Sequence, residues 1–298
     1  MKLLEKLSKT IFKLVGSQIL HRFQASSIEK VLKKSIDLLD EETLHEMKAF
    51  VVQQQTMSGG FADKAGNSDL YYSLFGGYLA EALDMPQVMP PLKQYVKARI
   101  QSDDIRGISL YCAAILHAKL CENESLPSTL KHQITAETQQ PGKQEAGYSN
   151  FLSLISFYYL ENYVGLYRIQ KQLKTIDIQR NLPCPVTAAH LVLQYCFGKP
   201  THELEERMHS FYRGNGSFMA IHQAPIGDLL STAVSLYALD FVKADLRALK
   251  PDCLNYVDSL YADGGFCATE LDVSPDVEYT FYGLLALGAL STAVSGKL

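Results

Sequence analysis

Asp263-Gly264-Gly265-Phe266, followed shortly by Asp276-Val277-Glu278-Tyr279-Thr280-Phe281-Tyr282-Gly283-Leu284-Leu285-Ala286-Leu287, is the stretch that decides the fold. Its second half is apolar or small on nearly every side of a 3.6-residue period, so a helix there has no face for water and must be buried all round. The Gly-Gly pair calls for close backbone approach in the turn before it. An Asp at the helix head accepts from free first-turn N–H groups and suits the positive end of the helix dipole.

The same order occurs twice more. Gly59-Gly60-Phe61 leads to Asp69-Leu-Tyr-Tyr-Ser73, and Gly216-Ser217-Phe218 leads to Asp228-Leu-Leu-Ser-Thr232. With the residue four before each hydroxyl as anchor, the frame extends to Ile105 (Ser109), Glu145 (Ser149) and Pro183 (Thr187). Successive anchors lie 36, 40, 38, 45 and 48 residues apart, the length of two helices and two turns. After each hydroxyl comes an apolar run: Leu74 to Leu83, Leu110 to Leu120, Phe151 to Leu160, Ala188 to Phe197, Ala233 to Val242 and Phe281 to Leu290. Between them lie segments charged on one face: Thr43 to Gln55, Leu92 to Gln101, Leu126 to Glu137, Tyr167 to Ile176, His202 to Tyr212 and Cys253 to Tyr261. Six buried helices alternating with six amphipathic ones predict an all-α (α/α)6 toroid, a double ring of inner and outer helices. An open solenoid of helical hairpins has a similar period, but the Gly-Gly-Phe turns weigh against it. The expected division is an N-terminal helical extension over 1–40, packed on the ring, and the toroid over 41–298.

Composition narrows the function. A chain of 298 residues, 47% hydrophobic, has ample material for a large core. The net charge of −4, with no basic cluster interleaved with aromatics, excludes a nucleic-acid binder. Tryptophan is absent against 17 Tyr, which weakens a glycosidase reading. The first residues mix Lys2, Glu5, Lys6, Lys9 and Lys13 with apolar positions, so they do not read as an export signal, and no apolar run is long enough to span a bilayer. A cytoplasmic location is expected. The basic amphipathic pattern of residues 2–23 suits either docking on its own domain or peripheral contact with an anionic membrane. Cys112, Cys121, Cys184, Cys196, Cys253 and Cys267 show no C-x-x-C pair and no matching His spacing, so buried thiols are expected, with no metal and no cofactor.

Gln53-Gln54-Gln55 with Gly59-Gly60-Phe61 and Asp69 to Ser73, and Asp263 to Phe266 with Asp276 to Leu287, resemble the repeats of protein prenyltransferase β-subunits and of squalene and terpene cyclases. The resemblance runs over roughly residues 43 to 290 and implies the toroid. The prenyltransferase zinc site it implies is not reproduced: Asp228 falls on the Asp position, Leu230 on the Cys and Tyr279 on the His. Of the diphosphate-gripping residues only His222 has a counterpart. Against the cyclase Asp-x-Asp-Asp motif, Asp228-Leu-Leu-Ser-Thr-Ala233 keeps the first Asp alone, and Leu230 has no proton to donate. Asp103-Asp104 stops short of a diphosphate-ionising metal cluster.

Two expectations remain. One is a toroid binding an isoprenoid or other apolar small molecule in its central cavity, with any catalysis metal-independent and carried by Asp228, Asp276 and Tyr279. Asp69, Tyr72, Tyr148, His190, His222 and Ser231 are its candidate ligand-binding residues. The other is a non-catalytic scaffold that binds a protein partner. Helix capping and core packing account for the same Asp, Tyr and Ser residues without chemistry, and lone histidines are commonly structural.

Overall fold

A computed structural model describes residues 14, 16–102, 105–121, 124–137, 146–173 and 182–291. The described chain is all-α with a few two-residue strands. Two helices, α1 (16–25) and α2 (Ile28–Ile36), precede the alternating pattern. The apolar runs form α4 (Leu70–Ala82), α6 (Ile108–Leu120), α8 (Ala146–Tyr159), α10 (Cys184–Cys196), α12 (Leu229–Phe241) and α14 (Val277–Ser291). The amphipathic segments form α3 (Glu41–Gln54), α5 (Met89–Gln101), α7 (Ser128–Glu137), α9 (Tyr163–Leu173), α11 (His202–Ser210) and α13 (Lys250–Ser259).

Because the apolar helices lack a polar face, they cover one another. Helix α4 packs on α6, α6 on α8, α8 on α10, α10 on α12 and α12 on α14, and α14 packs on α4. The amphipathic helices flank them: α5 lies on α6, α7 on α6, α9 on α8, α11 on α10 and α13 on α14. Helix α2 crosses α14 and α4, close enough that a Cβ on Gly288 would meet the Val31 carbonyl at 2.0 Å. Phe23, Val31 and Leu32 are buried there, while Tyr237 donates to the Ser26 carbonyl and Lys243 to the Ser26 hydroxyl. These contacts tie the end of α1 and all of α2 to the rest; residues 1–13 and 15, which hold most of the basic amphipathic pattern, lie outside the described residues.

The three glycine motifs share one construction. The sequence suggests only a turn and a linker, whereas each phenylalanine is the middle member of a small antiparallel arrangement. Phe61 pairs with Gln55 and Asp69, Phe218 with Tyr212 and Asp228, and Phe266 with Tyr261 and Asp276. Strands β1 (Phe61–Ala62) and β2 (Ser68–Asp69) belong to the first motif, and β3 (Tyr261–Ala262) and β4 (Gly265–Phe266) to the last. The phenylalanine N–H then donates to the helix hydroxyl: Phe61 to Ser73 at 2.9 Å, Phe218 to Thr232 at 2.9 Å and Phe266 to Thr280 at 3.1 Å. Thr232 and Thr280 also bond back to the carbonyls of Asp228 and Asp276.

The first glycine of each motif has a positive φ and lies on a carbonyl of an amphipathic helix. An added Cβ would sit 2.2 Å from the Pro91 oxygen at Gly59 and 2.0 Å from the Asp252 oxygen at Gly216. At Gly264 it would sit 2.6 Å from the oxygen of Glu46. Glu46 belongs to α3, the first helix of its class, so the last motif backs onto the first hairpin, and Tyr261 adds a hydrogen bond to the Glu46 carboxylate. A side chain is excluded there by both space and backbone conformation.

The extended anchors fit unevenly. Pro183 is the residue before α10, as the three Asp are before their helices, but Ile105 stands outside α6 because Gly107, at φ 57°, starts that helix two residues later. Glu145 lies outside the described residues.

Replacing Thr280 by Val leaves the buried Phe266 N–H without its acceptor. The expected loss is about 1–3 kcal/mol, read as a lower urea midpoint at unchanged slope, and Thr280→Ser is expected to retain most of the stability.

Candidate functional site

The amino ends of α4, α12 and α14 meet, and most of the candidate residues from the sequence gather there. Each Asp is engaged in capping. Asp69 accepts from the N–H groups of Tyr71 and Tyr72 at 2.7 and 3.1 Å, Asp228 from the Ser231 N–H and hydroxyl at 2.7 and 2.8 Å, and Asp276 from the Tyr279 N–H at 2.8 Å. Ser231 is thereby fully buried and consumed by Asp228. Asp276 also faces Lys64 at 3.7 Å, and the Lys64 ammonium lies over the Tyr279 ring, 5.1 Å from its centroid.

One residue that the repeat pattern does not single out stands at the middle of this group. Glu278, buried in the first turn of α14, accepts a 2.7 Å hydrogen bond from the Tyr71 hydroxyl of α4. Its signal in the sequence is that of an acid inside an otherwise apolar run. Burial pushes the Glu278 carboxyl above its usual 4.5, a push that Asp276 strengthens and the Tyr71 bond opposes. Burial likewise raises Asp276 and Asp228 against the hydrogen bonds of Tyr279 and Ser231. The phenols of Tyr72 and Tyr279 are raised by burial and then by the charge of Glu278, with Asp276 acting on both and Asp228 on Tyr279.

The other candidates lie elsewhere. His222 is exposed and stacks on Phe211 with ring centroids 4.4 Å apart. His190 is buried in α10, its Nε2 has no hydrogen-bond partner among the described residues, and burial lowers its pKa to about 4, so the ring is neutral at pH 7. The Tyr148 side chain lies outside the described residues.

Beneath the acidic group lies a narrow cavity of about 60 Å³, walled almost wholly by carbon. Tyr71, Phe75 and Tyr78 of α4, Tyr237 of α12, and Phe281 and Tyr282 of α14 supply its aromatic wall. Helices α8 and α10 contribute residues including Ile155 and the small Ala188 and Ala189, and α2 contributes Ile28. The ring that faces this cavity is Tyr71 rather than its neighbour Tyr72, and Tyr71 couples the wall to Glu278.

The carboxyl ends of the apolar helices are built differently. Lys119 at the end of α6 pairs with Glu29 at 2.7 Å and Glu81 at 2.6 Å, and its ammonium lies over the rings of Tyr78 and Tyr159. Lys119, Glu29, Glu81 and Tyr159 border a wide cleft of about 920 Å³ beside α2. Among the described residues, one set of three metal-ligating side chains converges: His117, Cys121 and Glu124, near this end and apart from the three capping Asp. All six cysteines are buried and free, as expected from the sequence.

Glu278→Gln tests the electrostatics. A folded-state pKa above the unfolded value means that the folded protein holds its proton more tightly, so stability falls as pH rises from about 4.5 through the folded pKa. Gln has no charge to desolvate and still offers an acceptor to Tyr71. The stability of E278Q relative to the parent protein is expected to increase between pH 4 and 7, measured by urea unfolding at each pH; a difference independent of pH would contradict the assignment.

No helix among the described residues is long and apolar enough to cross a membrane. Comparison of the chain with protein-family models, with curated proteins and with solved structures finds no match.

Proposed function

We propose that the six apolar helices close into an (α/α)6 toroid of the kind found in prenyltransferase β-subunits and terpene cyclases, and that its lumen receives the end of an isoprenoid or other apolar chain. The cyclic order of contacts, α4 to α14 and back to α4, supports closure of the inner layer. Gly264 against the Glu46 carbonyl supports it in the outer layer. The observation that carries the ligand reading is the carbon-walled cavity to which five of the six apolar helices contribute. A toroid serving only as a scaffold has no need of it.

The dimensions limit the ligand. About 60 Å³ is well below the ~300–1,000 Å³ of ordinary small-molecule pockets. A slender chain end suits it, and a folded polyene awaiting cyclisation does not. A longer chain requires Tyr71, Phe75 or Tyr282 to swing aside. Any chemistry is metal-independent at this end, with Glu278, Asp276 and Asp228 as the acids and Tyr71 as the link to the lumen. Leu230 and Tyr279 in place of zinc ligands agree with that restriction.

A second reading, a scaffold for a protein partner, draws support from the capping duty of all three Asp and from the narrowness of the lumen. The two are separated by titrating the full chain with farnesol, geranylgeraniol and an environment-sensitive fluorescent fatty acid; the chain has no tryptophan to interfere. Binding near 1:1 is expected, with stabilisation approaching ~2.7 kcal/mol at a hundredfold excess over Kd. Ala188→Leu, which extends a side chain into the lumen, is expected to weaken binding at least tenfold while leaving the circular dichroism unchanged. No binding by any probe would replace this reading with the scaffold, to be pursued by pull-down from the native cell.

A further inference from the structure

His117, Cys121 and Glu124 are brought together by local backbone geometry. His117 and Cys121 are four residues apart across the last turn of α6, where the Cys121 N–H donates to the His117 carbonyl at 2.9 Å, so their side chains share one face. The helix ends at Cys121, at φ −122° and ψ 49°, and the Glu124 N–H donates to the Cys121 carbonyl at 2.8 Å. The helical step and the Glu124–Cys121 hydrogen bond bring an imidazole nitrogen, a thiol sulfur and a carboxylate oxygen all within 4.8 Å of one another.

We propose that this cluster is a binding site for a thiophilic divalent cation, Zn2+ in the first instance, with His117, Cys121 and Glu124 as its three protein ligands and solvent in the fourth position. Nitrogen, sulfur and oxygen donors on short tethers match the ligand preferences of Zn2+, and three protein ligands with an open fourth position is the usual arrangement of a reactive zinc centre. His117 is buried at the end of α6, with its ring in reach of the Cys121 sulfur and the Glu124 carboxylate. Cys121 is also buried and exchanges its proton for the metal: the S–H bond breaks, a Zn–S bond forms and the proton leaves to solvent, with no change of oxidation state. Glu124 is the exposed member and borders the wide cleft, which gives the ion a route in and places the solvent position at the cleft wall.

Lys97 at 2.6 Å and Lys93 at 3.7 Å both contact Oε1 of Glu124 and hold the carboxylate through that oxygen. They also place positive charge near the ion, so the site is of moderate affinity and depends on the thiolate for selectivity. This location differs from the position where the sequence resemblance implies zinc, since Asp228 and Tyr279 stand at the opposite ends of the apolar helices.

The test uses the full chain, reduced and stripped with chelator, titrated with Co2+ alone. A sulfur-to-cobalt charge-transfer band saturating at one equivalent and bleached by added Zn2+ is expected. Cys121→Ser is expected to abolish the band, and Glu124→Gln, an exposed change that leaves the fold undisturbed, to keep the band while weakening binding at least tenfold. Absence of the band in the parent protein would overturn the site. So would a band that survives in C121S, because another of the six thiols would then be responsible.

Discussion

An apolar helix with no polar face has to be covered on every side, and this chain contains six. Leucine, alanine and aromatic side chains in α12 and α14 are buried around the full circumference, down to Ser231, Thr232 and Ser235. Water is not an option for any flank, so each such helix needs two neighbours of its own kind and an amphipathic helix behind it. Each of the six contacts the next from α4 through α14, and α14 contacts α4. Helix α2 then supplies cover at one end of α14 and α4, where a stripe of bare backbone at Gly288 admits it.

The repeated Asp, Phe and hydroxyl positions serve that architecture. Each Asp caps its helix, each phenylalanine joins the end of an amphipathic helix to that Asp, and each hydroxyl holds the phenylalanine backbone against the first turn. Phe61 and Phe266 press their rings onto Gly76 and Gly283, where a Cβ would come within 2.3 and 2.5 Å of ring carbons. Residues from outside the repeat stand beside these fixed groups. Glu278 is such a residue: two positions after the capping Asp, where α14 carries this acid, the first motif has Tyr71 and the motif at Asp228 has Leu230. Lys64, reaching Asp276 from the linker of the first motif, is another.

The alternation of buried and amphipathic helices is legible in the sequence because it rests on a period that any helix must obey, and the helix heads are legible because capping chemistry selects Asp. The paired strands around Phe61, Phe218 and Phe266 are not, since two-residue pairings have no period to read. Glu278 escapes for a different reason. A repeat frame directs attention to positions that recur, whereas a site is marked by one that does not. His117, Cys121 and Glu124 are not legible as a group because paired-cysteine spacing says nothing of a helical i, i+4 His–Cys step, and the Glu124–Cys121 hydrogen bond is visible only in the structure. Tyr71 and Tyr72 are adjacent in sequence, and only packing decides that Tyr71 takes the cavity.

The two ends of the apolar helices differ in how charge is handled, and this bears on what the cavity admits. Positive helix dipoles and N–H donors at the amino ends favour ionised carboxylates. Yet Asp228, Asp276 and Glu278 all move upward, because burial outweighs the dipole and the hydrogen bonds together. At the carboxyl ends the negative dipoles meet Lys119, whose ammonium is held by Glu29, Glu81 and two aromatic faces. Tyr78, whose ring lies under that ammonium, also lines the cavity. For the apolar chain proposed above, carboxyls shifted toward their neutral form present less charge to desolvate than an ion-pair network. On that proposal the amino end is the side of smaller desolvation cost for reaching Tyr71 and the carbon wall beneath it.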